Sequence, residues 1–208
     1  PIIMPRSCLR RFRYCQTIAL TSPDLGTPVM GQFRANDLYD PYVTGAGHQP
    51  MGFDQLAALY TSFVVIGSRI KVTPVINTTA SVAPAYMMIV LHSQATSMSG
   101  MTIEEIMENE STSKKRFMCS SYQFGQMISG NLQRLQRMNF SLRKFFHRKD
   151  LLDNDFACSA SSSPTLQAYY SVMQWISPGS VVESGEITYM VEIEYIAVCQ
   201  EPTFSVQS

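Results

Sequence analysis

The chain has 208 residues, of which 45% are hydrophobic and only 15% charged, with sixteen bases against sixteen acids. A chain of this size buries roughly 70% of its unfolded surface as one domain, so a metal or disulfide staple is not required for folding. No apolar run approaches the ~18 residues of a membrane-spanning helix, so membrane insertion is not expected, and a net charge of zero leaves any nucleic-acid partner to be judged from the charge distribution. That distribution is uneven: Arg6, Arg10, Arg11 and Arg13 precede the first acid, Asp24, whereas eight acids lie from Asp150 onward, with Lys149 just before them.

In chain order, Pro1 to Met4 is too short and wrongly flanked for a signal peptide, and the opening on Pro1 leads us to expect that the sequence begins partway along the encoded protein. Phe12 to Leu20, Val29 to Ala35, Ser62 to Ile76 and Pro84 to Leu91 are rich in β-branched and aromatic residues and read as four long strands. Between the second and third lies a densely specified loop within VMGQFRANDLYDPYVTGAGHQPMGFDQ, Val29 to Gln55. Asn36-Asp37 and Asp40-Pro41 are turn starters, through side-chain bonds to backbone and the fixed proline φ, while Gly45, Gly47 and Gly52 allow backbone angles closed to other residues. Asp54 is placed to cap a short helix over Gln55 to Tyr60.

Thr102 to Asn109 reads as a helix, because Thr102 and Glu105 have capping-box spacing and Ile103, Ile106 and Met107 supply an apolar face. Lys115 to Ser121, Asn139 to Phe145, Gln167 to Ile176 and Glu186 to Gln200 complete a set of eight strands, a jelly-roll count. The last alternates, with Ile187, Tyr189, Val191, Ile193, Tyr195 and Ala197 on one face and Glu186, Thr188, Met190, Glu192, Glu194 and Ile196 on the other. Leu132, Leu135, Met138 and Leu142 are also compatible with a basic amphipathic helix; the reading adopted is a strand from Asn139. Met87, Met88, Met98, Met101, Met107, Met118 and Met127 cluster around the middle loops, where adaptable apolar side chains suit subunit contacts.

Five cysteines, Cys8, Cys15, Cys119, Cys158 and Cys199, contain no CxxC pair and cannot all close within one chain, so they read as reduced thiols. His48, His92 and His147 stand in no metal-binding spacing, there is no GxSxG elbow or P-loop, and the GAG at Gly45 to Gly47 lacks the rest of a dinucleotide fingerprint. No cofactor, metal site or enzymatic activity is expected. His48 reads as a residue pinning the loop rather than a pH-sensitive contact, and Asp37, Asp40 and Asp54 are accounted for by turns and a cap without calcium.

The string NDLYDPYVTGAGHQPMGFDQ, with GAGHQP at Gly45 to Pro50 as its specific core, resembles the capsid proteins of circovirus-like circular single-stranded DNA viruses. SFVVIGSRIKVTPVI at Ser62 to Ile76, MNFSLRKFFHRKDLLDNDF at Met138 to Phe156 and the run Glu186 to Cys199 extend the resemblance over most of the chain. It implies an all-β fold, a single eight-stranded jelly roll of two packed four-stranded antiparallel sheets with short helices in its connections, spanning 14–208. Residues 1–13 would then end a basic N-terminal arm, in which Arg6, Arg10, Arg11 and Arg13 contact packaged DNA by releasing condensed counterions. Asn36, Asp37, Asp40, Pro41, Gly45, Gly47, His48, Gln49, Pro50 and Asp54 would shape a structural or subunit-interface loop. The resemblance further implies a homo-oligomeric shell of T=1 symmetry with about sixty copies, residence in the virion, the host-cell interior and nucleus before assembly, and attachment to a host receptor through outer loops. Two other readings compete: a lectin-like ligand-binding jelly roll using Asn36, Asp37 and Tyr39, and a cupin-type enzyme, which the absent histidine pair disfavours.

Overall fold

A computed structural model of the chain describes residues 5–22, 28–45, 47–75, 85–93, 101–108, 112–120, 136–176 and 185–203. These contain strands β1 (Ser7–Ser22), β2 (Val29–Arg34), β3 (Tyr60–Val75), β4 (Ala85–His92), β5 (Thr112–Ser120), β6 (Gln136–Ser141), β7 (Ala157–Cys158), β8 (Tyr169–Ile176) and β9 (Gly185–Pro202). Helices α1 (Phe53–Ala57), α2 (Ile103–Glu108) and α3 (Leu142–Phe145) lie in the connections. One antiparallel sheet has the order β1-β9-β3-β6, with the two-residue β7 beside β3, and the other has the order β2-β8-β4-β5. The chain crosses between sheets from β1 to β2, β2 to β3, β3 to β4, β5 to β6, β7 to β8 and β8 to β9, which makes this a jelly roll.

Alternation along the strands sets the layers. In β1, Phe12, Tyr14, Ile18 and Leu20 are buried while Arg11, Arg13, Cys15 and Thr17 are exposed. In β9, the six residues expected to face inward, Ile187 through Ala197 in steps of two, are all buried. Together with Phe33, Phe63, Ile70, Val72, Ile89, Tyr170 and Val172 they fill the space between the sheets, each large side chain contributing ~1.5–3 kcal/mol by leaving water. A second apolar cluster lies on the far side of β2-β8-β4-β5, where Met88, Val90, Met173 and Trp175 pack against Ile106 of α2. The capping box of α2 forms as expected: Thr102 N donates to Glu105 Oε2 at 2.8 Å and Glu105 N to Thr102 Oγ1 at 3.2 Å.

Four expectations are corrected. β1 starts at Ser7, before Phe12, because its early residues pair with the end of β9 (Ser7 with Gln200, Arg10 with Ala197), so Arg10, Arg11 and Arg13 lie within a paired strand. α1 spans Phe53–Ala57 and not Gln55 to Tyr60, and its N-cap is Gly52 at φ 85°, with Phe53 N already bonded to Pro50 O at 3.1 Å. Asp54 is thus inside the first turn, where its charge favours the helix N-terminus, and is not the cap. The sixth strand ends at Ser141, since Leu142, Phe145 and Phe146 turn back as α3 to pack with Phe140 and Phe156, at ring separations of 5.5 Å for Phe140–Phe145 and 5.1 Å for Phe146–Phe156. The proposed helical start at Leu132 and Leu135 lies outside the described residues.

Met87 and Met88 are core residues rather than interface ones, at 2% and 0% exposure. Met101 is half-buried against the second cluster and Met107 exposed, while Met98 and Met127 lie outside the described residues.

Candidate nucleic-acid interface

The specified loop leaves β2 through Arg34, and this arginine organises the turns after it. Its Nη1 meets the Asp40 carboxylate at 2.5 Å and the Asp40 carbonyl at 2.6 Å, while its Nε donates to Gln167 Oε1 at 3.0 Å and stands 3.8 Å from Asp37 Oδ2. The positive charge between Asp37 and Asp40 is therefore a guanidinium. Asp37 Oδ1 accepts from Tyr39 N at 2.9 Å, the side-chain turn expected of it. Burial pushes the Asp37 carboxyl above its ordinary value, against the opposing pull of a hydrogen bond from Ser163, the Tyr39 backbone and Arg34.

Asn36 acts as a side-chain rung between segments: its Nδ2 donates to Leu166 O and its Oδ1 accepts from Ala168 N, both at 2.8 Å. Pro41 is buried, and its carbonyl accepts from Arg34 N at 2.8 Å. Gly45 has φ 70°, a left-handed conformation, and its N–H closes a turn on Tyr42 O at 3.0 Å. Gly47 serves by its lack of a side chain, since a Cβ there would lie 2.8 Å from the Tyr14 hydroxyl and 2.9 Å from Tyr42 Cβ. The exposed His48 ring stacks on Tyr14 at 4.8 Å, tying the loop to β1, and Gln49 is half-buried between it and the buried Pro50. Asn36, Gly47 and His48 thus bring the loop against neighbouring segments, while Asp54 stands apart in α1.

Asn36 and Asp37 are fully buried, so neither presents itself to a glycan; the lectin-like use of Asn36, Asp37 and Tyr39 is overturned. Among the described residues no group of three or more His, Cys, Asp or Glu is arranged to hold a metal ion.

Charge collects on the outer face of β1-β9-β3-β6. The register sets Arg13 beside Glu194, Glu194 beside Arg69 and Arg69 beside Asn139; one step along, Cys15, Glu192, Lys71 and Arg137 form a parallel row. A shallow cleft of about 420 Å³ runs between these rows, with Arg13, Arg69, Lys71 and Arg137 in its walls. Glu194 pairs with Arg11 at 3.5 Å, Glu192 with Lys71, and Arg69 Nε donates to Asn139 Oδ1 at 2.9 Å. Five cations, counting Arg11, thus surround two carboxylates, and these exposed pairs are worth only ~0–1 kcal/mol each to folding.

Of the four arginines expected to bind nucleic acid, Arg11 and Arg13 lie on this face. Arg10 projects from the opposite side of β1, in step with Phe12 and Tyr14, and Arg6 precedes the strand beside Gln200 and Glu201. Arg69, Lys71 and Arg137 share this face without being among the expected four; Arg137 belongs to the basic cluster that the sequence suggests is a solvated face. The alternating RIK of β3 is a visible signal, but its alignment with Arg13 depends on inter-strand register.

No protein-family model and no curated protein matches the chain. Among solved structures, a chain of the Macrobrachium rosenbergii nodavirus structure superposes with a TM-score of 0.52 at 6% identity, over 94% of this chain and 55% of that one. A Desmodium yellow mottle tymovirus chain gives 0.46 at 12% identity, covering 100% of this chain and 95% of its own, and a rhinovirus-B5 chain gives 0.48 at 11%, covering 92% and 69%. At these identities the likeness speaks to fold, and the nodavirus superposition agrees with the strand order in establishing a jelly roll shared with a chain of a virus structure.

Proposed function

We propose that this chain is a structural coat subunit that assembles with copies of itself into an icosahedral shell around nucleic acid. The observation that carries this reading is the strand order, β1-β9-β3-β6 packed on β2-β8-β4-β5, in a chain whose best-specified loop is spent on pinning itself to the barrel and not on a chemical centre. The motif GAGHQP supports the finer proposal: a circovirus-like capsid protein, T=1 and about sixty copies, enclosing circular single-stranded DNA. Residence in the virion after passage through the host nucleus, and receptor attachment by outer loops, belong to the same proposal. No catalytic role is included in it.

For the nucleic-acid contact, the cationic rows around Arg13, Arg69, Lys71 and Arg137 supply the chemistry. Phosphates neutralised there release counterions, giving binding that ignores sequence and weakens with salt at a slope of about −0.7 per contact on single strands. Arg6, ahead of β1, and Arg10, on the opposite side of that strand, add positive charge outside the cleft.

Expression of the chain followed by negative-stain electron microscopy and nuclease treatment tests the reading. Uniform shells with protected single-stranded DNA are expected. A monomer or small oligomer persisting across salt and pH would overturn the coat function, and shells protecting RNA instead would overturn the DNA assignment. In shells that do form, Arg69→Ala with Arg137→Ala is expected to lower the nucleic-acid content while leaving the particle intact.

A further inference from the structure

We propose that Cys8 and Cys199 are a redox staple, a cross-strand pair that closes into a disulfide when the folded protein meets an oxidised thiol pool. The two residues are direct partners in the β1–β9 register. Opposite residues of an antiparallel pair project from the same face with Cα atoms ~4.5–5.5 Å apart, within the ~4.4–6.8 Å that a disulfide spans, so closure requires only a small approach of the two side chains. The thiols already interact with each other, and Cys8 also meets the Tyr60 hydroxyl.

Exposure divides the roles. Cys199 is fully buried in the core, and burial followed by the bond to Cys8 pushes its thiol up to about 12, so it stays protonated and does not react first. Cys8 is half-buried, at the rim, and is open to a small disulfide. The Cys8 thiolate attacks one sulfur of oxidised glutathione, forming a mixed disulfide and releasing one glutathione thiolate. Cys199 then attacks the Cys8 sulfur, the second glutathione leaves, and the Cys199 proton passes to it. Two protein thiols and one oxidised glutathione become one protein disulfide and two reduced glutathiones.

Two other cysteines are placed differently. Cys158 is buried with its thiol on Phe63 O at 3.3 Å, and Cys15 is exposed on the outer face. Closing Cys8 onto Cys199 would link the start of the first strand to the end of the last, enclosing nearly the whole chain, and the constraint on the unfolded state grows with the loop enclosed. The inference rests on register and thiol placement alone and stands whatever the cleft binds.

The test is to incubate the folded protein with oxidised glutathione, block free thiols, digest without reductant and map the peptides by mass spectrometry, with thermal unfolding followed in parallel. The expected result is a linked Cys8–Cys199 peptide pair lighter by two hydrogen atoms and a midpoint raised by several degrees, both reversed by dithiothreitol. Cys8→Ser, at a half-buried rim position, should keep the fold and lose both signals, while Cys15→Ser should keep both. A glutathione adduct that stops at Cys8, or cross-links only between chains through Cys15, would overturn the proposal.

Discussion

The two sheets share one core but treat their outer faces in opposite ways. Beyond β1-β9-β3-β6 the side chains are charged and wet, whereas beyond β2-β8-β4-β5 Trp175, Met173, Met88 and Val90 lie dry under α2. The difference is written into the strands. β9 alternates between buried and partly exposed residues, while every residue of β8 from Tyr169 to Trp175 is buried, Ser171 and Gln174 included, as in a strand covered on both faces. A small helix with a good capping box is enough to change the role of a sheet face from solvent surface to second core. Part of the methionine content that suggests subunit contacts is used there instead.

This contrast can be broken most severely at its apolar end. Trp175→Ala is expected to destabilise the fold by ~3–5 kcal/mol, through lost transfer energy and a cavity between the second sheet and α2; urea unfolding measures it, and a loss below ~1 kcal/mol would mean that α2 does not seal that face. Next comes the loop contact with β1. Gly47→Ala forces a methyl group against Tyr14 and Tyr42 and should cost ~1–3 kcal/mol, as overpacking does, with the Tyr14–His48 stack displaced in the amide and aromatic NMR spectrum.

A third variant probes the buried carboxyl near the inner core. Because the folded protein holds Asp37 above the ordinary value of 3.8, the folded state binds that proton more tightly than the unfolded chain does. Its contribution is therefore fully present below 3.8 and is lost as pH rises through the folded value. Asp37→Asn keeps an oxygen for the Tyr39 turn and should flatten this part of the stability profile, measured by denaturant titration across a pH series; identical profiles in both proteins would contradict the assigned burial cause. The smallest effect belongs to the wet face, where Lys71→Ala should change folding stability by less than ~0.5–1 kcal/mol, the range of exposed ion pairs.

The sequence made some of this architecture legible and hid the rest for physical reasons. Strand alternation and the capping box are local patterns, so β9 and α2 could be read within a residue or two, whereas the start of β1 could not, since Ser7 to Arg11 are held by pairing with the end of β9. The reversal at Leu142 was hidden because Met138, Phe140 and Leu142 fit a strand until Phe156, distant in sequence, collects the aromatic rings. Asn36 and Asp37 were recognisable as turn residues, but their complete burial depends on Arg34, Leu166 and Ala168 converging on them. The cationic rows were illegible for the same reason, since they join strands whose register no single segment encodes.

The pairing of β9 between β1 and β3 has a temporal consequence. Ser7 through Ser22 partner Gln200 through Gly185, and β3 takes the opposite edge of the same strand. On the ribosome, neither β1 nor β3 can find this central neighbour until β9, Gly185–Pro202, has been made. β1 must wait without its sheet partner and β3 with only β6 and β7 beside it, and contacts of such high sequence separation form slowly. Productive pairing of this sheet therefore comes late, and copies that have not yet acquired β9 are the species most prone to aggregate or to bind a chaperone.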